Sequence, residues 1–211
     1  MPERKRMAIS QAKPVPAAFY NRDPREVAPA LLGKVLLRRE GRNSRSGRIV
    51  EVEAYLGVED PAAHAYSGMT KRNAVLFGPP GHAYVYFIYG FHYCLNVSCE
   101  PEGKAGCLLI RALEPLTGID AMYTARDLEP GDGRINELRK LTSGPGRLAE
   151  AMSITRERDN DKNMTSSRSD LQIVDDGFGL AKVEITKRIG IKKAENELLR
   201  YSIAGNAFVS K

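Results

Sequence analysis

Three strand-like runs follow one another between residues 82 and 115, with only short turns between them. The runs are HAYVYFIY, HYCLNVSCE and CLLIRALEP, and PEGKAG is the turn before the third. Parallel strands need a crossover of a dozen or more residues, usually a helix, whereas antiparallel strands can be joined by a short turn. The runs therefore predict neighbouring strands of a mainly antiparallel sheet.

The other apolar runs add a hairpin, helices and two late strands. KVLLRR and RIVEVEAY flank the turn-rich segment EGRNSRSG and predict a hairpin. REVAPALLG predicts a helix through Leu32 that Gly33 ends, and further helices are predicted at 118–126 and 144–154. AKVEITKRIGI and LLRYSIAGNAFVS are apolar enough to return to the sheet. The predicted fold is α+β, a single domain with a curved, mainly antiparallel sheet and surrounding helices.

The chain divides into an N-terminal arm and one domain. Residues 1–18 are basic with little apolar periodicity and predict a flexible arm, so the domain covers residues 19–211. Residues 56–82 are rich in Gly and Pro and predict a long connection with at most short helices, a kind of loop that often carries function. The polar residues 155–169 predict an excursion over the surface.

Charge and composition narrow the kinds of partner. The formal charge of +6 and the pI near 9.2 favour polyanions such as nucleic acid, although a solvated positive face fits the same numbers. No apolar run approaches the roughly 20 residues of a membrane helix, and the N-terminus lacks a secretory signal, so we expect a cytoplasmic protein with no membrane partner. Cys94, Cys99 and Cys107 form no CxxC pair and are predicted to be reduced, buried residues.

The run RIVEVEAYLG carries two acidic residues on a predicted strand. Alternation puts Val50, Val52 and Ala54 on one face and Glu51, Glu53 and Tyr55 on the other. The ordinary interpretation is a half-buried strand with a solvated acidic face. The alternative is a functional site, because Glu53 and Tyr55 end the strand just before a loop that contains His64. The spacing of Glu53, Glu59 and His64 matches no known metal-binding pattern, so no metal site is predicted.

The run YVYFIYGFHY holds four of the nine tyrosines in a chain without tryptophan. Alternation places Tyr84, Tyr86 and Ile88 on one strand face and Val85, Phe87 and Tyr89 on the other. Gly90 is expected to turn or bulge the strand at this point. We predict core positions for Tyr84, Phe87 and Tyr93, whereas the pattern leaves Tyr86 and Tyr89 open between core and surface.

Three stretches resemble the alkyladenine DNA glycosylase family, also called methylpurine or 3-methyladenine DNA glycosylases: RIVEVEAYLGVEDPAAHAYSGMTKRNAVLF, GHAYVYFIYGFHYCLNVS and CLLIRALEPLTG. The likeness continues through LTSGPGRLAEAMSI, KRIGI and LLRYSIAGNAFVS. It implies a monofunctional DNA glycosylase that starts base excision repair. Such an enzyme flips a damaged purine out of double-stranded DNA and hydrolyses its N-glycosidic bond with water. The resemblance also implies that no cofactor is needed and that the enzyme acts as a monomer.

The resemblance assigns catalytic roles to three residues. Glu53 matches the family's general base, which deprotonates the attacking water, and Arg111 matches the arginine that helps hold this water and a nearby phosphate. The backbone carbonyl of Ile189 matches a further ligand of the water. A carboxylate suits the place of Glu53 because it can also stabilise positive charge that develops on the sugar.

Five other residues match the family's base pocket and its wedge. Tyr55, His64 and Tyr86 match the side chains that sandwich the flipped base. Asn96 matches a pocket residue that disfavours the exocyclic amine of guanine. Tyr89 matches the wedge that enters the duplex where the flipped nucleotide was.

Lys71, Arg72 and Arg147 lie in matched loops and fit either contacts with DNA phosphates or solvated charges. Two other functions stay open at this point. One is a non-catalytic module that binds damaged DNA. The other is a bifunctional glycosylase and lyase that would use the N-terminal amine of Pro2.

Overall fold

One eight-stranded sheet forms the centre of the computed structural model, which describes residues 7–179 and 182–211. The strands are β1 (Val35–Glu40), β2 (Asn43–Tyr55), β3 (Ala83–Ile88), β4 (His92–Ser98), β5 (Cys107–Thr117), β6 (Leu171–Val174), β7 (Val183–Thr186) and β8 (Arg200–Ile203). Six of them follow the order β3-β4-β5-β2-β1-β6, and β8 pairs with both β2 and β7. All these pairs are antiparallel, which confirms the predicted sheet.

Short helices pack around the sheet, as the predicted α+β class requires. They are α1 (Ala17–Tyr20), α2 (Pro24–Leu31), α3 (Ile119–Ala125), α4 (Ile135–Thr142), α5 (Pro145–Ala151) and α6 (Arg156–Asp159). The predicted helices are confirmed as α2, α3 and α5, whereas α4, α6 and β6 have no counterpart in the prediction. The long connection contains two 3-10 helices, Gly57–Glu59 and Ala74–Phe77, as expected. Within the described residues, no helix has the length and apolar character needed to cross a membrane.

The hairpin of β1 and β2 has a shorter turn than the sequence predicts. Glu40 pairs with Asn43, so Gly41 and Arg42 alone form the turn. Gly41 has a φ of 60°, a conformation that glycine adopts without the steric cost of a Cβ atom. The polar residues after the turn therefore extend β2 instead of forming a loop.

The ladder between β2 and β5 has three register shifts, and the two β-bulges nearest Glu51 overturn part of the predicted alternation. The register pairs Ile49 with Leu113, Glu51 with Ala112 and Val52 with Ile110. Val50 on β2 and Arg111 on β5 are therefore extra residues, and such bulges re-aim side chains. The placement of Val50 on one face with Val52 and Ala54 is wrong. Val50 packs against Ala112 and Phe208, whereas Val52 and Ala54 lie in the main core.

The main core lies between the sheet and residues of α2, α3 and α5. Cys94, Cys99 and Cys107 are all buried and free, as predicted. They behave as small apolar residues, since none takes part in a disulfide.

The predicted N-terminal arm contacts the sheet where the structure describes it. The Met7 amide donates to the Asp176 carbonyl at 2.9 Å, and the Val15 amide donates to the Ile173 carbonyl at 2.8 Å. Pro14 forms a bridge with Val174 of β6. Residues 1–6, including Pro2, lie outside the described residues, and the division between arm and domain at residue 18 stays a prediction.

The segment 155–169 lies mostly at the surface, as predicted, and is fixed along the edge of β3. The Asp161 amide donates to the Ala83 carbonyl at 2.7 Å, and the Val85 amide donates to Asn160 Oδ1 at 3.0 Å. An edge strand has backbone groups that no neighbouring strand pairs with, and residues of this segment serve as their hydrogen-bond partners. Asp159 is fully buried and forms an ion pair with the equally buried Arg38 at 2.6 Å. The polar sequence here therefore serves buried pairing as well as solvation.

Replacing Asp159 with Ala should destabilise the protein by about 3–5 kcal/mol, because the Arg38 guanidinium would lose a fully buried partner. Urea denaturation measures this change. Asp132→Ala, which removes the exposed partner of Arg134, is the control and should leave the unfolding midpoint where it is. Equal destabilisation by the two substitutions would contradict the structural role given to the Arg38–Asp159 pair.

Candidate active site

Two adjoining cavities lie beside β2, β3 and β5. The larger, of about 650 Å³, is lined by Glu53, Arg111 and Tyr89 together with the start of α5. The smaller, of about 140 Å³, is lined by His64 and Asn96 among others. The side chains that line both are Tyr55, Tyr86, Ile88 and Ile191. A group bound in the smaller cavity would therefore lie next to the larger cavity, which Glu53 lines.

Glu53 is a fully buried carboxylate with donors on both oxygens. Its Oε1 accepts from the Ile189 amide at 2.7 Å and lies 3.1 Å from Arg111 Nη1. Its Oε2 accepts from the Tyr55 hydroxyl at 2.9 Å. A carboxylate oxygen can accept about two hydrogen bonds, so Oε2 keeps acceptor capacity toward the cavity. The role predicted for the Ile189 carbonyl, as a ligand of the water, stays a prediction, and the contact of Ile189 with Glu53 is made by its N–H.

Glu51 lies next to this site and is also fully buried, so the interpretation of a solvated acidic face is wrong. Arg111 donates through Nε to Glu51 Oε1 at 2.8 Å, and Arg200 donates to the same oxygen at 2.7 Å. The Ser210 amide donates to Glu51 Oε2 at 2.7 Å. Local alternation could not show this burial, because the residues that surround Glu51 come from β5, β8 and residue 210.

The opposite charges of Glu51 and Arg111 stabilise each other's ionised form. Burial raises the pKa of Glu51, but the charge of Arg111 and the hydrogen bonds from Arg200 and Ser210 outweigh it, so the pKa falls below its usual value. Burial lowers the pKa of Arg111, whereas Glu53 and Glu51 raise it by more. Arg111 therefore stays a cation and joins two carboxylates.

Tyr55 is held between the carboxylate and a cation. The Arg188 guanidinium lies 4.7 Å from the centre of the Tyr55 ring. Arg188 is itself fixed by Nη2, which donates to Asp60 at 2.9 Å, and by Nη1, which donates to the Ala54 carbonyl at 3.0 Å. Burial raises the pKa of the Tyr55 phenol, and the charge of Glu53 adds to this. The Tyr55 hydroxyl therefore stays protonated and donates a hydrogen bond to Glu53.

The smaller cavity is walled by aromatic rings. His64 and Tyr86 meet edge to face, with ring centres 4.5 Å apart, and His64 Nδ1 shares a hydrogen bond of 2.9 Å with the Tyr84 hydroxyl. Burial lowers the pKa of His64, and the nearby charge of Arg72 lowers it further, so the imidazole is neutral near neutral pH. Burial raises the pKa of Tyr84 to about 12. Tyr84 is buried, as predicted, yet it also lines this cavity.

Asn96 closes the smaller cavity with a fixed amide. Its Nδ2 donates to the Tyr84 carbonyl at 3.1 Å, and its Oδ1 accepts from Cys107 Sγ at 3.8 Å. The two contacts assign opposite ends of the amide to opposite partners. The side chain therefore presents a defined donor and acceptor to whatever occupies the cavity.

The hairpin between β3 and β4 ends in exposed aromatic rings. Tyr89 is 74% exposed and has a φ of 56°, and Gly90 follows with a φ of 80°. This left-handed pair turns the strand, as predicted, and sets Tyr89 on the wall of the larger cavity. The core position predicted for Phe87 is wrong, because Phe87 is 46% exposed on an edge strand. Tyr93, also predicted as core, is partly buried against the main core.

The three basic candidates divide between the cavity and the surface. Arg147 lines the larger cavity at the start of α5. Arg72 is exposed but close enough to lower the pKa of His64. Lys71 is exposed and is absent from the linings of these two cavities.

Comparison with known proteins assigns the chain to a family. The family model described as methylpurine-DNA glycosylase matches residues 18–207. The chain belongs to this family. It is therefore an enzyme of the DNA glycosylase class, which hydrolyses N-glycosyl bonds, and the resemblance noted in the sequence is confirmed.

Relatives support the same assignment over nearly their whole lengths. A protein of Koribacter versatilis is 61% identical over 97% of this chain and 97% of its own. A protein of Burkholderia cenocepacia is 48% identical over 93% of this chain and 90% of its own. One from Methanoculleus marisnigri is 46% identical over 93% and 98%, respectively. All three carry the description "Putative 3-methyladenine DNA glycosylase".

The family's motifs therefore meet in space around the two cavities, and sequence reasoning missed their supports. Arg139, Ser143 and Gly144 line the larger cavity, and Arg200 and Ser210 hold Glu51. The signal for Ser143 and Gly144 was the stretch LTSGPGRLAEAMSI, which resembled the family but in which a role was assigned to Arg147 alone.

Arg72→Gln should raise the pKa of His64 part of the way to its usual value, because it removes the nearby cation but not the burial. The pKa of His92 should not change, whereas Arg147→Gln should raise the pKa of His92 and leave His64 unaffected. NMR titration of the three histidine rings measures all these shifts. An unchanged His64 pKa in Arg72→Gln would place Arg72 away from the pocket.

Proposed function

We propose that this protein excises alkylated purines, 3-methyladenine among them, from double-stranded DNA and so starts base excision repair. The observation that carries the proposal is the buried Glu53 carboxylate, which lines the larger cavity with acceptor capacity left on Oε2. Such a group can take a proton from a water molecule. The names of the relatives support 3-methyladenine as a substrate.

The smaller cavity would hold the damaged base. Its sugar carbon cannot be attacked while the base is stacked in the duplex, so the nucleotide has to be flipped out. Tyr55, His64 and Tyr86 offer flat faces and edges around the cavity. Stacking on an aromatic ring stabilises a base by roughly 1–3 kcal/mol. A neutral His64 adds no charge repulsion against a cationic methylated purine.

Hydrolysis would then run across the boundary between the cavities. A water oxygen bonds to C1′ of the sugar, the bond between C1′ and the base nitrogen breaks, and its electron pair leaves with the base. Glu53 Oε2 takes the water proton, and the carboxylate stabilises positive charge on the sugar. A cationic base such as 3-methyladenine leaves as a neutral molecule. A neutral damaged base needs a proton for departure.

Arg111 and Ile189 would keep the carboxylate in place for this step. Both donate toward Glu53 Oε1, which leaves Oε2 as the oxygen that faces water. The carbonyl of Ile189 remains our candidate for a further ligand of that water. Holding the reacting groups within hydrogen-bond distance of each other is itself a large part of catalysis.

Tyr89 would fill the gap that the flipped nucleotide leaves. Its ring is exposed at the hairpin tip beside the cavity, where it can enter the base stack. An inserted side chain offsets part of the few kcal/mol that unstacking costs. Arg147 lies close enough to this surface to contact a phosphate, and Lys71 and Arg72 would contribute to the positive field around it. The proposed groups all come from one chain, so a monomer would suffice for the reaction.

Glu53→Gln should reduce base release by at least about 100-fold, since the amide cannot accept the water proton. DNA binding should persist, because the residue keeps its shape and the cavity is unchanged. Single-turnover release of free base from methylated duplex DNA, together with gel-shift titration, measures both. Retained release in this variant would refute the role of Glu53. Absence of release by the wild-type protein would favour a module that only binds damage.

Tyr89→Ser should weaken binding to damaged duplex by roughly 5- to 150-fold, the loss expected for one stacking interaction. Phe87→Ser is the matched control, because Phe87 is an exposed ring on the same hairpin that does not line the larger cavity. Titration with a fluorescent base analogue at the lesion reports binding and flipping together. Equal losses in the two variants would count against a wedge at Tyr89.

A further inference from the structure

We propose that Glu51 is a positioning residue that shares Arg111 with Glu53 and so preserves the ability of Glu53 to accept a proton. The inference rests on the proposed hydrolysis. It gives a function to a carboxylate that the reaction itself does not touch.

Glu51 is bound too completely to be an incidental acid. Its Oε1 accepts from Arg111, Arg200 and the Ser210 hydroxyl at 2.8, 2.7 and 2.9 Å, and its Oε2 accepts from the Ser210 amide at 2.7 Å. Glu51 is fully buried and, unlike Glu53, is not among the residues that line the two cavities, so neither cavity gives a water molecule or a substrate access to it. The side chain can therefore act only through the groups that it holds.

The group that matters is Arg111, the extra residue of the bulge on β5. Its Nε points to Glu51 and its Nη1 points to Glu53, so one guanidinium is divided between two carboxylates. An arginine within hydrogen-bond distance can lower a carboxyl pKa by about 1–3 units and weakens it as a base by the same amount. Because Glu51 binds the same guanidinium, its negative charge partly neutralises the cation that Glu53 meets.

The field at Glu53 is set by groups from several elements. Tyr55 lies on the same strand, Cys94 on β4, Arg111 on β5, Arg188 in the segment before Ile189, and Arg200 opposite Glu53 on β8. Three of these five are cations. Asp60 pairs with Arg188, whereas Glu51 pairs with both Arg111 and Arg200.

The direction of the effect follows from this charge balance. Removing the negative charge of Glu51 would leave Arg111 to Glu53 alone, and protonation of Glu53 would then require a lower pH. In a plot of excision rate against pH, the rise on the acid side (the acid limb) would move to lower pH. The plateau rate would fall because the base is weaker. Removing the positive charge of Arg200 has the opposite sign.

The experiment is the pH dependence of single-turnover excision on methylated duplex DNA. Glu51→Gln should move the acid limb down by about one pH unit and lower the plateau by about tenfold. Glu51→Asp keeps the charge and should keep the wild-type position of the limb. Glu184→Gln, an exposed acid on β7, is the matched control and should have no effect.

If Glu51→Gln alone does not fold, the same substitution is tested in a protein that already carries Arg200→Gln. Arg200→Gln should move the limb up, and adding Glu51→Gln to that variant should bring it back toward the wild-type position. A limb that Glu51→Gln leaves in place in either background would overturn the inference.

Failure of this inference is separable from failure of the proposed function. An inactive Glu53→Gln with an unmoved limb in Glu51→Gln would reject only the role of Glu51. An active Glu53→Gln would reject the hydrolysis on which both depend.

Discussion

The interaction on which this structure depends is the buried contact of Arg111 with two carboxylates, Glu51 and Glu53. Each buried charge costs several kcal/mol in lost hydration, and only close pairing with further hydrogen bonds offsets that cost. Bulges in β2 and β5, strand β8 and the amide of Ser210 all contribute to the pairing. The proposed catalytic carboxylate is therefore part of the same network that joins three strands, so the position of Glu53 is tied to the integrity of the sheet.

The aromatic cavity depends on a second buried pair. Arg188 binds Asp60 in the long connection and the end of β2, and it also stacks on the Tyr55 ring. The next residue, Ile189, donates its amide to Glu53. One ion pair thus sets both a wall of the proposed base pocket and a donor of the proposed catalytic group. In the proposed reaction, adjacent residues of one segment would therefore fix both the base pocket and the catalytic carboxylate.

The sequence was informative wherever local periodicity or chain order decides the outcome. The three antiparallel runs form β3, β4 and β5, and alternation correctly put Tyr84 and Tyr86 on one face, where both line the smaller cavity. It misjudged Glu53, because the partners that allow its burial lie far away along the chain. It misjudged Phe87, because edge position is a property of the whole sheet. The roles of the site residues came from family resemblance, and their supporting contacts came from the structure alone.

The most direct test of the central claim is a crystal structure of the Glu53→Gln variant bound to duplex DNA that contains an alkylated purine. We expect an extruded base between Tyr55, His64 and Tyr86, with C1′ facing the side chain of residue 53. We also expect the Tyr89 ring in the vacated position of the stack. A base that remains in the duplex, or an extruded base with its C1′ turned away from residue 53 and Arg111, would contradict the account.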